Sequence, residues 1–203
     1  MPSMFIPDGI VERIKDIVSN PLVGEFILID NTDNGFDINE DIPKLVHIKE
    51  HKNTFVNPAW NKGVQLSKFN KLMFINDDII TDFHGIIERV HDEIKLDKGI
   101  IGLGNGCWDY NGGEFSIVPI HDLTTGFGCL FFIHKNSYKL IPNELKVWYG
   151  DNWLLSKINR QAYKIMNWKM EGRISQTVAK SEFSPIIQND TKLWENKYFK
   201  MKP

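Results

Sequence analysis

The stretch FNKLMFINDDII, residues 69–80, runs apolar and then stops on Asn76-Asp77-Asp78. Two adjacent carboxylates at a strand end repel each other unless water or a cation stands between them. An oxygen-rich, carboxylate site suits Mg²⁺ or Mn²⁺, and a solvated strand end is the plain alternative. Other residues share this character. Asp30 and Asn31 close the apolar run FILID and fit the hydrogen-bonding edge of a pyrimidine or a simple Asx-turn. Asn57 and Asn61, one helical turn apart, suit ribose or phosphate oxygens, although a helix cap accounts for Asn57 alone. Gly126 and Gly128 bracket Phe127, where glycine lets backbone approach a ligand closely, or simply turns into the next strand. Asp151 stands where a helix begins, an ordinary capping place. The histidines lack metal-ligand spacing, and His121-Asp122 lies in a Gly-rich segment that could touch substrate.

These residues need elements to hold them. The apolar spacing of residues 8–18 predicts a helix with Asp8 as N-cap and Asn20-Pro21 as its stop. Residues 24–30 and 44–50 predict strands, with the turn residues 31–35 after the first. A helix is expected over 57–69, with Asn57 as cap and Pro58 at its first position. Residues 71–75 read as a third strand and 81–95 as a helix with Ile86, Ile87, Val90 and Ile94 inward. Further strands are expected over 99–105, 128–135 and 163–170, a hairpin turn at Asn111-Gly112-Gly113, and helices over 151–161 and through the tail from 189. Alternating helix and strand imply a parallel sheet flanked by helices. Ligands of such sheets sit beyond the carboxyl ends of the strands. Asp30-Asn31 and Asn76-Asp77-Asp78 would therefore face one crevice.

Length and composition set the frame. A chain of 203 residues fits one domain, read as two halves of about 1–100 and 101–203. With 42% hydrophobic and 25% charged residues it reads as an ordinary globular protein. A net charge of −2 provides no global field for nucleic acid or anionic membrane. The two cysteines, Cys107 and Cys129, form no disulfide framework. No apolar run approaches the roughly 18–20 residues of a membrane span, and no signal peptide is evident. The expected location is the cytoplasm.

FILIDNTDNG, NPAWNKGVQLSKFNKLMFINDDI, TGFGCLFFIHK and WYGDNWLL occur in the order found in family 2-type glycosyltransferases of the GT-A fold, over roughly residues 22 to 160. The chain resembles that family, and its small size resembles phage-encoded members. The resemblance implies an α/β, Rossmann-like, mostly parallel sheet with a smaller acceptor-side part. It implies a nucleotide-diphosphate sugar donor, a UDP-sugar first, and Mn²⁺ or Mg²⁺ as cofactor. Asp30 would contact the base and Asp77 the ribose. Asp78, with Asn76, would hold the cation. Asn31, Asn57, Asn61, Gly126, Phe127 and Gly128 would line the donor and acceptor site. Asp151 would be the general base, and a single base without a protein nucleophile implies inversion. The acceptor would be a saccharide or glycolipid, or second a hydroxymethyl-pyrimidine in DNA. Two departures stand out. Asn76 replaces the first Asp of the family's metal motif, and the family's first strand is short or missing, with Ser3–Ile6 available as a stub. The alternative function is a non-catalytic nucleotide-sugar-binding module of the same fold.

Overall fold

A computed structural model gives the architecture; it describes residues 1–4, 8–120, 124–172 and 181–199. The strands are β1 (Pro2–Ser3), β2 (Phe26–Asp30), β3 (Leu45–Lys49), β4 (Lys71–Ile75), β5 (Ile79–Thr81), β6 (Ile101–Leu103), β7 (Ser116–Pro119), β8 (Leu130–His134), β9 (Tyr163–Met166) and β10 (Met170–Gly172). The helices are α1 (Ile10–Ser19), α2 (Val56–Leu66), α3 (Phe83–His91), α4 (Gly150–Lys157) and α5 (Ser184–Leu193), the last running into a π-helical turn over Trp194–Tyr198. The class is α/β, as expected.

The parallel character belongs to the N-terminal sheet, in which β1, β2 and β3 run together. The larger sheet, in order β4-β8-β6-β9-β7, is mixed, and only β6 and β9 are parallel neighbours. The period-2 alternation of a strand divides its side chains between two cores. On β4 and β8, Leu72, Phe74, Phe131 and Ile133 face α2 and the tail. Ile75, Leu130 and Phe132 face α1 and α3. Phe74 stacks on Phe131 at 4.4 Å, and Trp60 of α2 meets the same ring edge-on at 5.0 Å.

The short first strand is a real feature of the fold. β1 pairs only with Ile29 and Asp30 at the end of β2. A cavity of about 310 Å³ is lined by Phe26 and Ile27 of β2, Met73 of β4, Val64 of α2 and Ile87 of α3. The stub spans Pro2–Ser3; Phe5 and Ile6 lie outside the described residues.

Several boundaries moved for local reasons. Gly9, in the left-handed region at φ 71°, precedes α1 in place of the expected Asp8 cap. Phe55 stands before α2, so Asn57 lies inside its first turn and caps nothing. Asp82 caps α3 by accepting the Gly85 N–H at 2.9 Å. The late strand breaks at Asn167, whose φ of 56° ends β9 before β10 begins. No hairpin forms at Asn111–Gly113: β7, which follows, pairs with the distant β9.

Candidate functional site

The polar strand end predicted at Asn76-Asp77-Asp78 is a tight turn between β4 and β5. The Asn76 N–H reaches the Cys129 carbonyl at 2.9 Å, and the Ile79 N–H returns to the Asn76 carbonyl at 3.4 Å. The turn forms one wall of a cavity of about 510 Å³. Gly126, Gly128 and Cys129 form a second wall. Trp148, Tyr149 and Asp151, at the entry to α4, form a third, and Asn31, Asn53 and Phe55 a fourth. Of the residues expected from sequence, the fold thus gathers Asn31, Asn76, Asp77, Asp78, Gly126, Gly128 and Asp151.

The others lie elsewhere, held by hydrogen bonds or by core packing. Asp30 is buried beneath the following turn. Its Oδ1 accepts from the Thr32 N–H and hydroxyl at 2.9 and 2.6 Å, and its Oδ2 from the Phe36 N–H at 2.6 Å. This is the turn-building role, and it leaves the carboxylate outside the cavity lining. Asn61 spans the protein interior, donating to the Ile141 carbonyl and accepting from the Tyr138 hydroxyl and the Ile141 N–H. Phe127 is a fully buried core ring packed on Gly102. Asn57 braces the third wall from behind, its Nδ2 donating to the Trp148 carbonyl at 3.0 Å. His121 and Asp122 lie outside the described residues.

The acids differ in their surroundings. Asp77 turns its Oδ2 to the β1 stub, accepting from the Ser3 hydroxyl at 2.7 Å and the Met4 N–H at 3.2 Å. Arg13 of α1 donates to the Asp77 carbonyl oxygen. Burial raises the Asp77 carboxyl above its usual range against these donors and the Arg13 charge. Asp78 is pushed up to about 6, by burial first and by the Asp77 charge second. Burial also raises Asp151, against N–H groups of Asn152 and Gly128 that favour its charged form. The Cys129 thiol is pushed up to about 12 by burial and by the charges of Asp78 and Asp151, so it is unreactive near neutrality. Cys129, Asp78 and Asp151 all line the same cavity.

Two glycines are sterically fixed here. Gly126 has φ 73°, and a Cβ on it would lie 2.7 Å from the Trp108 ring. A Cβ on Gly128 would lie 2.9 Å from Asp151 Oδ2. Strain also gathers at the rim. Phe55 (φ 66°) and Tyr149 (φ 64°) are non-glycine residues in the left-handed region, and each such residue costs on the order of 1–3 kcal/mol that the surrounding packing must offset.

Among the described residues no group of three or more His, Cys, Asp or Glu is arranged to hold an ion by itself. The residues present nevertheless fit a cation shared with a ligand. Asn76 Oδ1 is buried without a hydrogen-bond partner, beside the Asp78 carboxylate in the same cavity. An amide oxygen and a carboxylate are hard donors suited to Mg²⁺ or Mn²⁺, which accept few protein ligands when phosphate oxygens complete the shell.

Sequence reasoning missed the aromatic rim. Trp148 and Tyr149 directly precede the Gly150-Asp151 pair, so their place was readable. Phe55 and Phe183 line the cavity from elements whose approach no local pattern reveals.

No protein-family model matches the chain, and no curated protein matches its sequence. Solved structures do match its fold. HddC from Yersinia pseudotuberculosis complexed with GMP-PN aligns at TM-score 0.53 and 14% identity over 89% of this chain and 84% of that one. GalNAc-T7 with UDP, GalNAc and Mn²⁺ aligns at TM-score 0.55 and 13% identity; it covers 89% of this chain, which spans only 44% of that one. A putative glucose-1-phosphate thymidylyltransferase from Bacillus anthracis aligns at TM-score 0.51 and 10% identity, over 93% and 85% of the two chains. At these identities the likeness establishes a GT-A-like, Rossmann-like fold. No helix among the described residues is long and apolar enough to cross a membrane.

Proposed function

We propose that the chain is a metal-dependent glycosyltransferase of the family 2 type, moving a sugar from a nucleoside-diphosphate sugar to an acceptor hydroxyl. The observation that carries this reading is one cavity holding the Asp78 carboxylate, the unpartnered Asn76 Oδ1 and the Asp151 carboxylate beyond the end of β4. Asp78 and Asn76 would hold the cation, and Asp77 fixes the β1 stub beside them. A bound Mg²⁺ or Mn²⁺ supplies charge that stabilises the departing nucleoside diphosphate. Trp148 and Tyr149 wall the space over the reacting sugar and exclude water. Asp151 accepts the proton of the acceptor hydroxyl. A carboxyl raised by burial is better matched to that role near neutral pH than an exposed one. One base and no assigned protein nucleophile imply a direct displacement that inverts the anomeric centre.

The base-contacting role expected for Asp30 passes to the segment that follows it, since Asn31 lines the cavity. The donor favoured is a UDP-sugar, and the acceptor a saccharide or glycolipid rather than DNA. Incubation with a panel of nucleotide sugars and Mn²⁺ tests the reading. Release of nucleoside diphosphate from a UDP-sugar, lost in Asp151→Asn, is expected. An intact donor would leave a non-catalytic binding module, a reading motivated by Asn76 in place of a carboxylate. Pyrophosphate release from a nucleoside triphosphate would instead assign nucleotidyl transfer.

A further inference from the structure

We propose that Asp190, on the C-terminal helix α5, is a positioning residue for Asp151 and for the aromatic wall of the cavity; this rests on the reading of that cavity given above. Asp190 is 0% exposed. Its carboxylate collects three consecutive amide N–H groups: Lys146 at 3.0 and 3.1 Å to the two oxygens, Val147 at 2.7 Å and Trp148 at 2.9 Å. Successive N–H groups turned to one side make an anion-holding concavity, and here the anion is a side chain from more than forty residues downstream.

The carbonyl side of the same segment is held by α2. The Asn57 N–H donates to the Lys146 carbonyl at 3.0 Å, and Asn57 Nδ2 to the Trp148 carbonyl at 3.0 Å. Residues 146–148 are therefore gripped along both edges, by two helices from distant parts of the chain. The next residue, Tyr149, is the strained left-handed one, and its ring stacks on Trp194 of the tail at 5.2 Å and 7°. Gly150 and Asp151 follow at once. Asp151 leaves no slack against the opposite wall, where a single added carbon on Gly128 would stand 2.9 Å from its carboxylate. A shift of the 146–149 segment thus becomes a shift of the base. A displacement of about 1 Å at a reacting group can cost roughly 10²-fold in rate.

The test uses the full chain and Asp190→Asn, which keeps the shape but turns an NH₂ toward amide donors. Amide exchange and turnover of a UDP-sugar with Mn²⁺ are measured on the same protein. Charge-assisted hydrogen bonds are strong enough that exchange at 146–148 should rise about tenfold or more, with β2, β4 and β8 unchanged. The kcat should fall by roughly 10²-fold while the affinity for UDP with Mn²⁺ stays within about twofold, because the residues assigned to the cation are untouched. A rise in exchange throughout the molecule, or a loosened 146–148 segment with full kcat, would reduce Asp190 to a structural role and overturn the proposal. If Asp190→Asn does not fold, Asp190→Glu keeps the charge, displaces it by one methylene, and is judged by the same two readouts. Wild-type protein without turnover overturns the reading of the cavity and this proposal together; active wild type with an equally active variant overturns this proposal alone.

Discussion

Burial and the neighbouring Asp77 charge disfavour the ionised form of Asp78, a stability cost that a metal site would explain. Its carboxyl is raised to about 6 from an ordinary 3.8, so the folded state binds the proton more tightly than the unfolded one. The penalty is absent below the unfolded pKa and grows as pH rises to about 6, where the folded group ionises. Asp78→Asn should therefore stabilise the metal-free protein at pH 7 by about 1–2 kcal/mol, after discount for partial exposure, and leave it unchanged at pH 4. Denaturant unfolding at the two pH values checks this, and equal stability at pH 7 would place the carboxyl outside a desolvated site. Asp151 gives the complementary prediction. Asp151→Asn is nearly isosteric and should preserve UDP binding, while transfer falls by roughly 10²–10⁴-fold, as initial rates would report; near wild-type rates would assign the base elsewhere, with Asp122 or Glu114 next to test. At this scale the turn Asn76–Asp78 and the acid Asp151 were legible, because a strand end and a helix start have fixed places in a wound α/β sheet. Asp30 looked equivalent in sequence, yet Thr32 and Phe36 fold back within six residues to bind it, and His47 of β3 stands 3.3 Å from its Oδ2.

Helices and strands place these residues, and two glycines on them make opposite predictions. Gly63 on α2 has nothing within 4 Å of an added Cβ, whereas a Cβ on Gly150 at the start of α4 would stand 2.1 Å from Asn57 Oδ1. Gly63→Ala should stabilise by about 0.5–1 kcal/mol through helix propensity and reduced unfolded-state freedom. Gly150→Ala should destabilise by roughly 1–3 kcal/mol through overpacking. Chemical denaturation of both variants measures the contrast, and a stabilised Gly150→Ala would show that Asn57 does not brace the third wall. Element types were readable where a period dominates: β4 runs from Lys71 to Ile75 as the apolar run predicts, and α1 stops at Asn20. What failed was pairing between distant segments. β7 and β9 find each other across more than forty residues, and the glycines at 112–113, though suited to a hairpin, have no second strand beside them. Helix caps failed where tertiary bonds took the capping residue, as with Asn57.

Across the whole molecule, three sheets and flanking helices deliver polar turns to one crevice, which the β1 stub also lines. The charge distribution bears on the acceptor. The net charge is −2; of the tail lysines Lys192, Lys197, Lys200 and Lys202, Lys197 is paired with Glu144, and Lys200 and Lys202 lie outside the described residues. Binding to duplex DNA should accordingly be weak and little changed between two salt concentrations, since few phosphates are neutralised and few counterions released. Tight, salt-sensitive binding lost on replacing Lys197, Lys200 and Lys202 by Ala would reverse this. The central claim, a nucleoside diphosphate held through a cation at Asp78, is tested most directly by calorimetric titration of UDP with and without Mn²⁺, in wild type and Asp78→Ala. Affinity should rise with Mn²⁺ by about tenfold or more, as a coupling of at least 1.4 kcal/mol requires, and Asp78→Ala should lose most of that gain. Absence of UDP binding, or an equal Mn²⁺ enhancement in both proteins, would contradict it.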